Sequence, residues 1–286
     1  MHRFFKKVFK ISAILFLGVL LTFLILINIF FQPKSDDEIR AIFSEANVEL
    51  KLEYLEFEGQ EFRVISIRKE LDTTLPNLIF IHGSPGSAMD FKKYLLDVDL
   101  NSSSNLIAYE RVGYGDNNLG DVKNIDFEVS LLNSITEQFN NRKTILVGYS
   151  YGGPIALASQ KEYKKVVLLA PAVNSDIEPM FWFLNFYKWK ITRWMMPKML
   201  QTASKEKLNH ASDLKNHEQY WNKNPSSILV IHGDKDWIVP YENSTLLQKK
   251  INADRFDLHT LKEAGHDLIW TRFDEIKFEL LKVIAE

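Results

Sequence analysis

The chain has 286 residues, 46% of them hydrophobic, which allows one large domain or two small ones with an ample core. Setting aside the four cations of the first ten residues leaves 31 of the 35 basic side chains against 37 acids, about −6, a balance that speaks against nucleic-acid binding. With no cysteine, disulfides and a lipid-modified N-terminal cysteine are excluded, and the fold must stand on its core.

Ile11 to Phe31 carries no charge, and only Ser12, Thr22 and Asn28 are clearly polar. As a helix it is about 30 Å long, the thickness of a bilayer's hydrocarbon core, which predicts a transmembrane anchor over residues 11–31. A cleaved signal peptide is the alternative. The run is longer than the roughly 7–15 residues of a signal core, and no small-x-small site follows in Ile29-Phe30-Phe31-Gln32-Pro33. Arg3, Lys6, Lys7 and Lys10 precede the run, while Asp36, Asp37 and Glu38 follow it. The positive-inside rule then leaves residues 1–10 in the cytoplasm and everything after the anchor on the other side. Residues 32–48 read as a polar, acidic linker with a short helical pattern, and the main globular domain is expected over residues 49–286.

Leu52 to Arg68 alternates apolar and polar residues around Glu58-Gly59-Gln60, a hairpin signal. Leu78 to Ile81 is an apolar strand that runs into His82-Gly83-Ser84-Pro85-Gly86. Asn105 to Glu110 is a strand leading into the glycine-rich loop Arg111-Val112-Gly113-Tyr114-Gly115-Asp116, and Phe127 to Phe139 has helical periodicity. Thr144 to Val147 is a β-branched run that stops at Gly148-Tyr149-Ser150-Tyr151-Gly152. Pro154-Ile155-Ala156-Leu157-Ala158 then begins a buried helix. Lys165 to Ala170 is a buried strand. Residues 171–225 break the rhythm, with no strand pattern and a cluster of aromatics from Phe181 to Trp189, with Trp194, Met195 and Met196 nearby. Ser227 to Ile231 is another apolar strand and ends in His232-Gly233-Asp234-Lys235-Asp236. Leu261 to Asp267 places His266 after a short amphipathic strand. Strands alternating with helices predict an α/β fold, a mostly parallel sheet with helices on both faces. Sequons at Asn101 and Asn243 are expected by chance and carry no argument.

A serine between glycines, with a strand before it and a helix after it, has the context of a nucleophile elbow. The turn is tight and strained, and it pushes the hydroxyl clear of the backbone. An ordinary N-cap serine does not need flanking glycines. With acids and a histidine following in the order Ser150, Asp236, His266, the chain resembles the α/β-hydrolase family, and the resemblance covers roughly Leu50 to the C-terminus. In that family the acid usually stands before x-x-x-Pro, which fits Asp236 ahead of Pro240 and disfavours its rival Asp234. The resemblance also implies a helical cap over the site from about 171–225. It implies an oxyanion hole from the backbone N–H groups of Ser84 and Tyr151, and chemistry without metal or organic cofactor. Family members usually carry an aspartate where this chain has Glu110, which puts any role of that carboxylate in doubt. His82 and His232, at strand ends, are expected to support loops; His2, His210, His217 and His259 carry no motif.

The chemistry sets the residue types. A serine hydroxyl attacks only when a base takes its proton, so His266 must approach it to roughly 2.6–3.2 Å. Asp236 would fix the ring's tautomer and offset the imidazolium charge. The expected protein is a membrane-anchored, esterase- or lipase-like serine hydrolase. It would cleave an ester, thioester or amide-like bond of a small-molecule or lipid-like acyl substrate through an acyl-enzyme. One alternative is a peptidase similar to the proline iminopeptidases, some of which have a related His-Gly-x-Pro-Gly turn; Glu178, Glu206, Asp213 and Glu218 are then the acids available to a free N-terminus. Another is a catalytically silent binding module on the same fold. Dehalogenases and epoxide hydrolases of this fold use an aspartate at the elbow, so Ser150 argues against both. The aromatics of residues 171–225 either pack the cap and line its pocket or contact the membrane surface. Oligomeric state is not legible.

Overall fold

Helix α1 (His2–Phe30) is the apolar N-terminal segment, and its stretch Phe4–Phe30 is long and apolar enough to cross a membrane. The computed structural model describes residues 2–68 and 70–286; side chains 2, 3 and 117 lie outside the described residues, among them Arg3, one of the cations used above for orientation.

Five residues after α1, helix α2 (Asp36–Glu45) begins with a capping box. Ser35 accepts from the Glu38 N–H while the Glu38 carboxylate accepts from the Ser35 N–H. Reciprocal caps of this kind are worth about 1 kcal/mol. Ile39 and Phe43, four residues apart and therefore on one helix face, are fully buried in the core. The linker read over residues 32–48, with its short helical pattern, thus packs a helix against the core from Asp36 onward. Two apolar side chains in an acidic decapeptide give the helical pattern but do not show that its face joins the core.

Strands β1 (Leu50–Phe57) and β2 (Gln60–Ile67) form the expected hairpin, with Glu58 (φ 48°) and Gly59 (φ 75°) both left-handed, the backbone that a two-residue turn between twisted strands requires. The strand β3 (Asn77–Ile81), helices α3 (Lys92–Leu95) and α4 (Val98–Ser103), and strand β4 (Asn105–Tyr109) follow. Then come α5 (Ile125–Thr136), β5 (Thr144–Tyr149), α6 (Gly152–Ala158) and β6 (Lys165–Leu169). After β6 the chain forms only helical pieces until residue 223: α7 (Asn185–Lys188), α8 (Lys190–Arg193), α9 (Lys198–His217) and three short 3₁₀ turns. The chain ends with β7 (Ile228–Gly233), α10 (Glu242–Lys250), β8 (Phe256–Leu261), α11 (Leu268–Thr271) and α12 (Phe273–Ala285).

Among the described residues, eight strands form one sheet in the order β1-β2-β4-β3-β5-β6-β7-β8, antiparallel through the β2–β4 pairing and parallel from β4 to β8. Strands β3 to β7 are apolar on both faces because both faces are covered. One layer buries Ile39, Phe43, Phe91, Leu280 and Val283 from α2, α3's approach and α12. The other buries Leu131, Ile155 and Leu247 from α5, α6 and α10. The chain places β4 on one side of β3 and β5 on the other. Their carboxyl ends therefore diverge into a crevice, the usual location of a site in such sheets.

Candidate active site

Ser150 sits at the carboxyl end of β5 with φ 53°, a left-handed conformation that a non-glycine residue adopts only when its surroundings enforce it. Its N–H donates to the Leu169 carbonyl (2.9 Å), and its own carbonyl accepts from the N–H groups of Gly153 (3.0 Å) and Ala172 (3.3 Å). A Cβ on Gly148 would run into the Gly152 carbonyl, and one on Gly152 into the carbonyl of Ile81. The flanking glycines are therefore needed for close passage of strand and helix, which is the reason the motif is legible.

The loops after β7 and β8 bring two more groups to this turn. His266 Nε2 lies 3.0 Å from Ser150 Oγ, and its Nδ1 lies 2.7 Å from Asp236 Oδ2. A carboxylate on Nδ1 holds the ring proton there and leaves the Nε2 lone pair facing the hydroxyl. The ring stacks on Tyr149 (5.1 Å between centroids), whose hydroxyl donates to the His266 carbonyl (2.8 Å). Asp236 Oδ1 accepts from the N–H groups of Ile238 (2.9 Å) and Val239 (2.8 Å). His232 Nε2 is 3.2 Å from Asp236 Oδ2, and its Nδ1 is 2.6 Å from Ser244 Oγ. Burial pushes the Asp236 carboxyl up, but hydrogen bonds from His232 and His266, with the His266 charge, outweigh it and hold it at about 2. Asp234 instead accepts from the Glu263 N–H (2.7 Å) at an exposed turn, so Asp236 and not Asp234 meets His266.

The turn after β3 packs against the same serine. A Cβ on Gly83 would stand 3.0 Å from Ser150 Cβ, which fixes Ser84 beside the elbow. His82 holds this turn: its Nδ1 donates to the Gly83 carbonyl (2.8 Å) and its Nε2 accepts from the Arg111 N–H (3.0 Å). Burial, reinforced by the Arg111 charge, keeps the ring neutral. Glu110 accepts from the Ala88 N–H (3.1 Å) and pairs with Arg63 (3.2 Å), so the longer carboxylate does tie β2 to the turn.

Sequence reasoning missed the network that joins this turn to the cap. Arg111, fully buried, donates to the Gly83 carbonyl (2.9 Å), to Glu128 of α5 (3.1 Å) and to Glu206 of α9 (2.5 Å). Tyr114 OH donates to the second oxygen of Glu206 and lies 2.6 Å from Ser84 Oγ. The Arg111 guanidinium also covers the Tyr151 ring at 4.4 Å. Burial alone would lower the pKa of Arg111, but the charges of Glu206 and Glu128 raise it. Glu206, His210 and Leu214 lie on one buried stripe of α9, a spacing visible in the sequence, but nothing local marks Arg111 as the partner.

Ser150 and His266 open into a cavity of about 480 Å³ walled chiefly by apolar groups of the cap and the acid loop, including Phe181, Leu184, Met196, Leu200 and Val239. Its charged lining is Glu178 and Lys207, which form an ion pair. Burial raises the Glu178 carboxyl and Lys207 lowers it; its Oε2 has no partner among the described residues. Of the other acids considered for a free amine, Glu206 is committed to Arg111 and Tyr114, Glu218 holds Ser175 (3.2 Å to its N–H), and Asp213 does not line the cavity.

The proline iminopeptidase of Saccharolobus solfataricus is 34% identical over 95 residues, 31% of this chain and 30% of that enzyme. The proline iminopeptidase of Lactobacillus helveticus is 26% identical over 120 residues, 41% of this chain and 39% of that enzyme. The chain thus spans about a third of the length of these relatives. Among solved structures, a membrane phospholipase A described as a bacterial virulence factor superposes with a TM-score of 0.66 at 14% identity, covering 100% of this chain and 98% of that one. An esterase from Exiguobacterium antarcticum gives 0.65 at 18% identity, covering 82% and 99%. At these identities the likeness is one of fold. The model of the alpha/beta hydrolase family matches residues 78–276, and the chain belongs to that family.

Proposed function

We propose that this protein is a membrane-anchored serine hydrolase acting on carboxylic esters with an aliphatic acyl chain. The observation that carries the reading is the continuous hydrogen-bonded line from Asp236 through His266 to Ser150 Oγ, ending in an apolar cavity. His266 takes the Ser150 proton as Oγ bonds to the ester carbonyl carbon, and the oxyanion is met by the backbone N–H groups of Tyr151 and Ser84. Collapse breaks the carbon–oxygen bond, and His266 returns the proton to the leaving alcohol. Water then repeats the sequence on the acyl-enzyme, releasing the acid and restoring the serine. Asp236 stays ionised throughout and stabilises the imidazolium. The helix α1 serves as the anchor, with its cationic start in the cytoplasm and the hydrolase domain on the other side.

A peptidase of the iminopeptidase kind is the second reading, and one observation favours it: the unpartnered Glu178 oxygen in the cavity could accept from a substrate ammonium. The ester reading is preferred because Lys207 already neutralises that carboxylate and the remaining wall is apolar. A panel of p-nitrophenyl esters of increasing chain length and prolyl and leucyl anilides separates them. Turnover should rise from acetate to medium-chain esters and be negligible on anilides; preferential prolyl-anilide cleavage would reverse the choice. No turnover on either would favour the silent binding module.

A further inference from the structure

We propose that the outer face of the cap, residues 180–198, rests on an anionic bilayer surface, so that the apolar cavity opens toward lipid. The first observation is composition. Between Glu178 and Glu206 the chain has no acid but five cations, Lys188, Lys190, Arg193, Lys198 and Lys205, in a protein whose overall charge is −2. The second is exposure. Trp182 (74%) in the turn before α7, Trp189 (57%) between α7 and α8, Ile191 (77%) on α8 and Trp194 (72%) just after it stand out into solvent. Four large apolar side chains this exposed, interleaved with Lys188 and Lys190, are unfavourable in water and match the headgroup level of a membrane, where tryptophan partitions and lysine meets lipid phosphate. Each cation near such a surface strengthens association about fivefold.

The third observation says which edge of the domain meets the bilayer. Asp36, the first residue of α2, bonds Arg63 (3.0 Å) and accepts from Tyr54 OH (3.0 Å). The Arg63 carbonyl accepts from the N–H of Glu110, the residue that follows β4. The chain therefore enters the domain at the carboxyl edge of the parallel strands, the edge that also bears Ser150, Asp236, His266 and the cap. Residues 31–35 between α1 and α2 can bridge at most about 20 Å. A domain of this size is about 45 Å across, so the tether holds its active-site edge, and not the opposite one, near the membrane. The inference rests on α1 being a span; it does not need the protein to be catalytic.

The absence of native cysteine makes the test clean. Ile191→Cys and Trp194→Cys, and Glu162→Cys before β6 at the opposite edge of the sheet, are each labelled with a nitrobenzoxadiazole dye. The full chains are placed in nanodiscs of phosphatidylcholine and phosphatidylglycerol. The labels at 191 and 194 should emit at shorter wavelength and lose most of their emission to doxyl-labelled lipid, while that at 162 stays water-like. Removing phosphatidylglycerol, or adding Lys188→Gln and Lys190→Gln, should weaken the quenching. Water-like emission from 191 and 194 would overturn the proposal. So would a shift that grows with protein density and ignores the lipid quencher, which would assign this face to a second copy of the chain. Retention of the chain in the disc reports on the anchor and turnover reports on the hydrolase, so those readings fail separately from this one.

Discussion

Glu206 of the cap helix and Arg111 of the loop after β4 form a 2.5 Å ion pair with neither side chain open to solvent, and through it the cap is fastened to the turn beside Ser150. Removing one member of a buried pair leaves the other charge uncompensated, at a cost of about 3–5 kcal/mol. Glu206→Ala should therefore lower the melting temperature. It should also lower kcat, because Tyr114 loses the acceptor that holds its hydroxyl against Ser84. Glu206→Gln, which keeps an acceptor for Tyr114, should recover part of kcat. Thermal melts with ester kinetics check this; a cap variant with unchanged kcat would separate the cap from the site.

The two acids after β7 should behave differently. Asp236→Asn should cut turnover on the order of 10⁴-fold, as loss of the orienting carboxylate does in serine proteases. Asp234→Asn, which breaks only the link to the Glu263 N–H, should leave kcat within a few-fold of wild type. Steady-state kinetics of the pair settle the assignment, and exchanged phenotypes would move the acid to Asp234.

Acid stability follows from the same carboxylate. A group held at about 2 in the folded protein, against 3.8 for an ordinary aspartate, stabilises the fold fully above about pH 4. That contribution, about 2 kcal/mol, is lost as the pH falls from about 4 through 2. Urea unfolding of wild type and Asp236→Asn should thus converge over that window; a gap that stays constant down to pH 2 would contradict the low value.

Deleting residues 1–34 should release the protein from the membrane with its fold intact, since Ser35 and its cap are kept. Deleting residues 1–46 also removes Ile39 and Phe43 from the core, a loss of about 3–6 kcal/mol for two large buried side chains. The chain lacking residues 1–34 should be soluble and cooperative in melting, the one lacking 1–46 unstable or aggregated; equal stability would remove α2 from the domain.

What could be read from the sequence was what is local. The elbow, the turn after β3 and the acid loop each join an apolar strand to glycines whose spacing is dictated by backbone passing backbone, so Ser150, Ser84 and Asp236 stood out. The strands β3, β5 and β7 are legible to within two residues for the same reason. The Arg111–Glu206 pair joins positions 95 residues apart, and each side chain alone looks like an ordinary surface charge. His232 at a strand end implies loop support; its bond to the acid itself depends on how the loop after β7 folds back. Helix α2 hid its two core residues among acids and looked like a link.

Covalent labelling with a fluorophosphonate, read by mass spectrometry of the modified peptide, tests the central claim most directly. The wild-type protein should carry one adduct, on Ser150. His266→Ala should label far more slowly, Ser150→Ala not at all, and the double variant should hydrolyse esters no worse than either single one, because the two groups act as one unit. An adduct that persists in Ser150→Ala, or folded wild-type protein that never labels, would contradict the account.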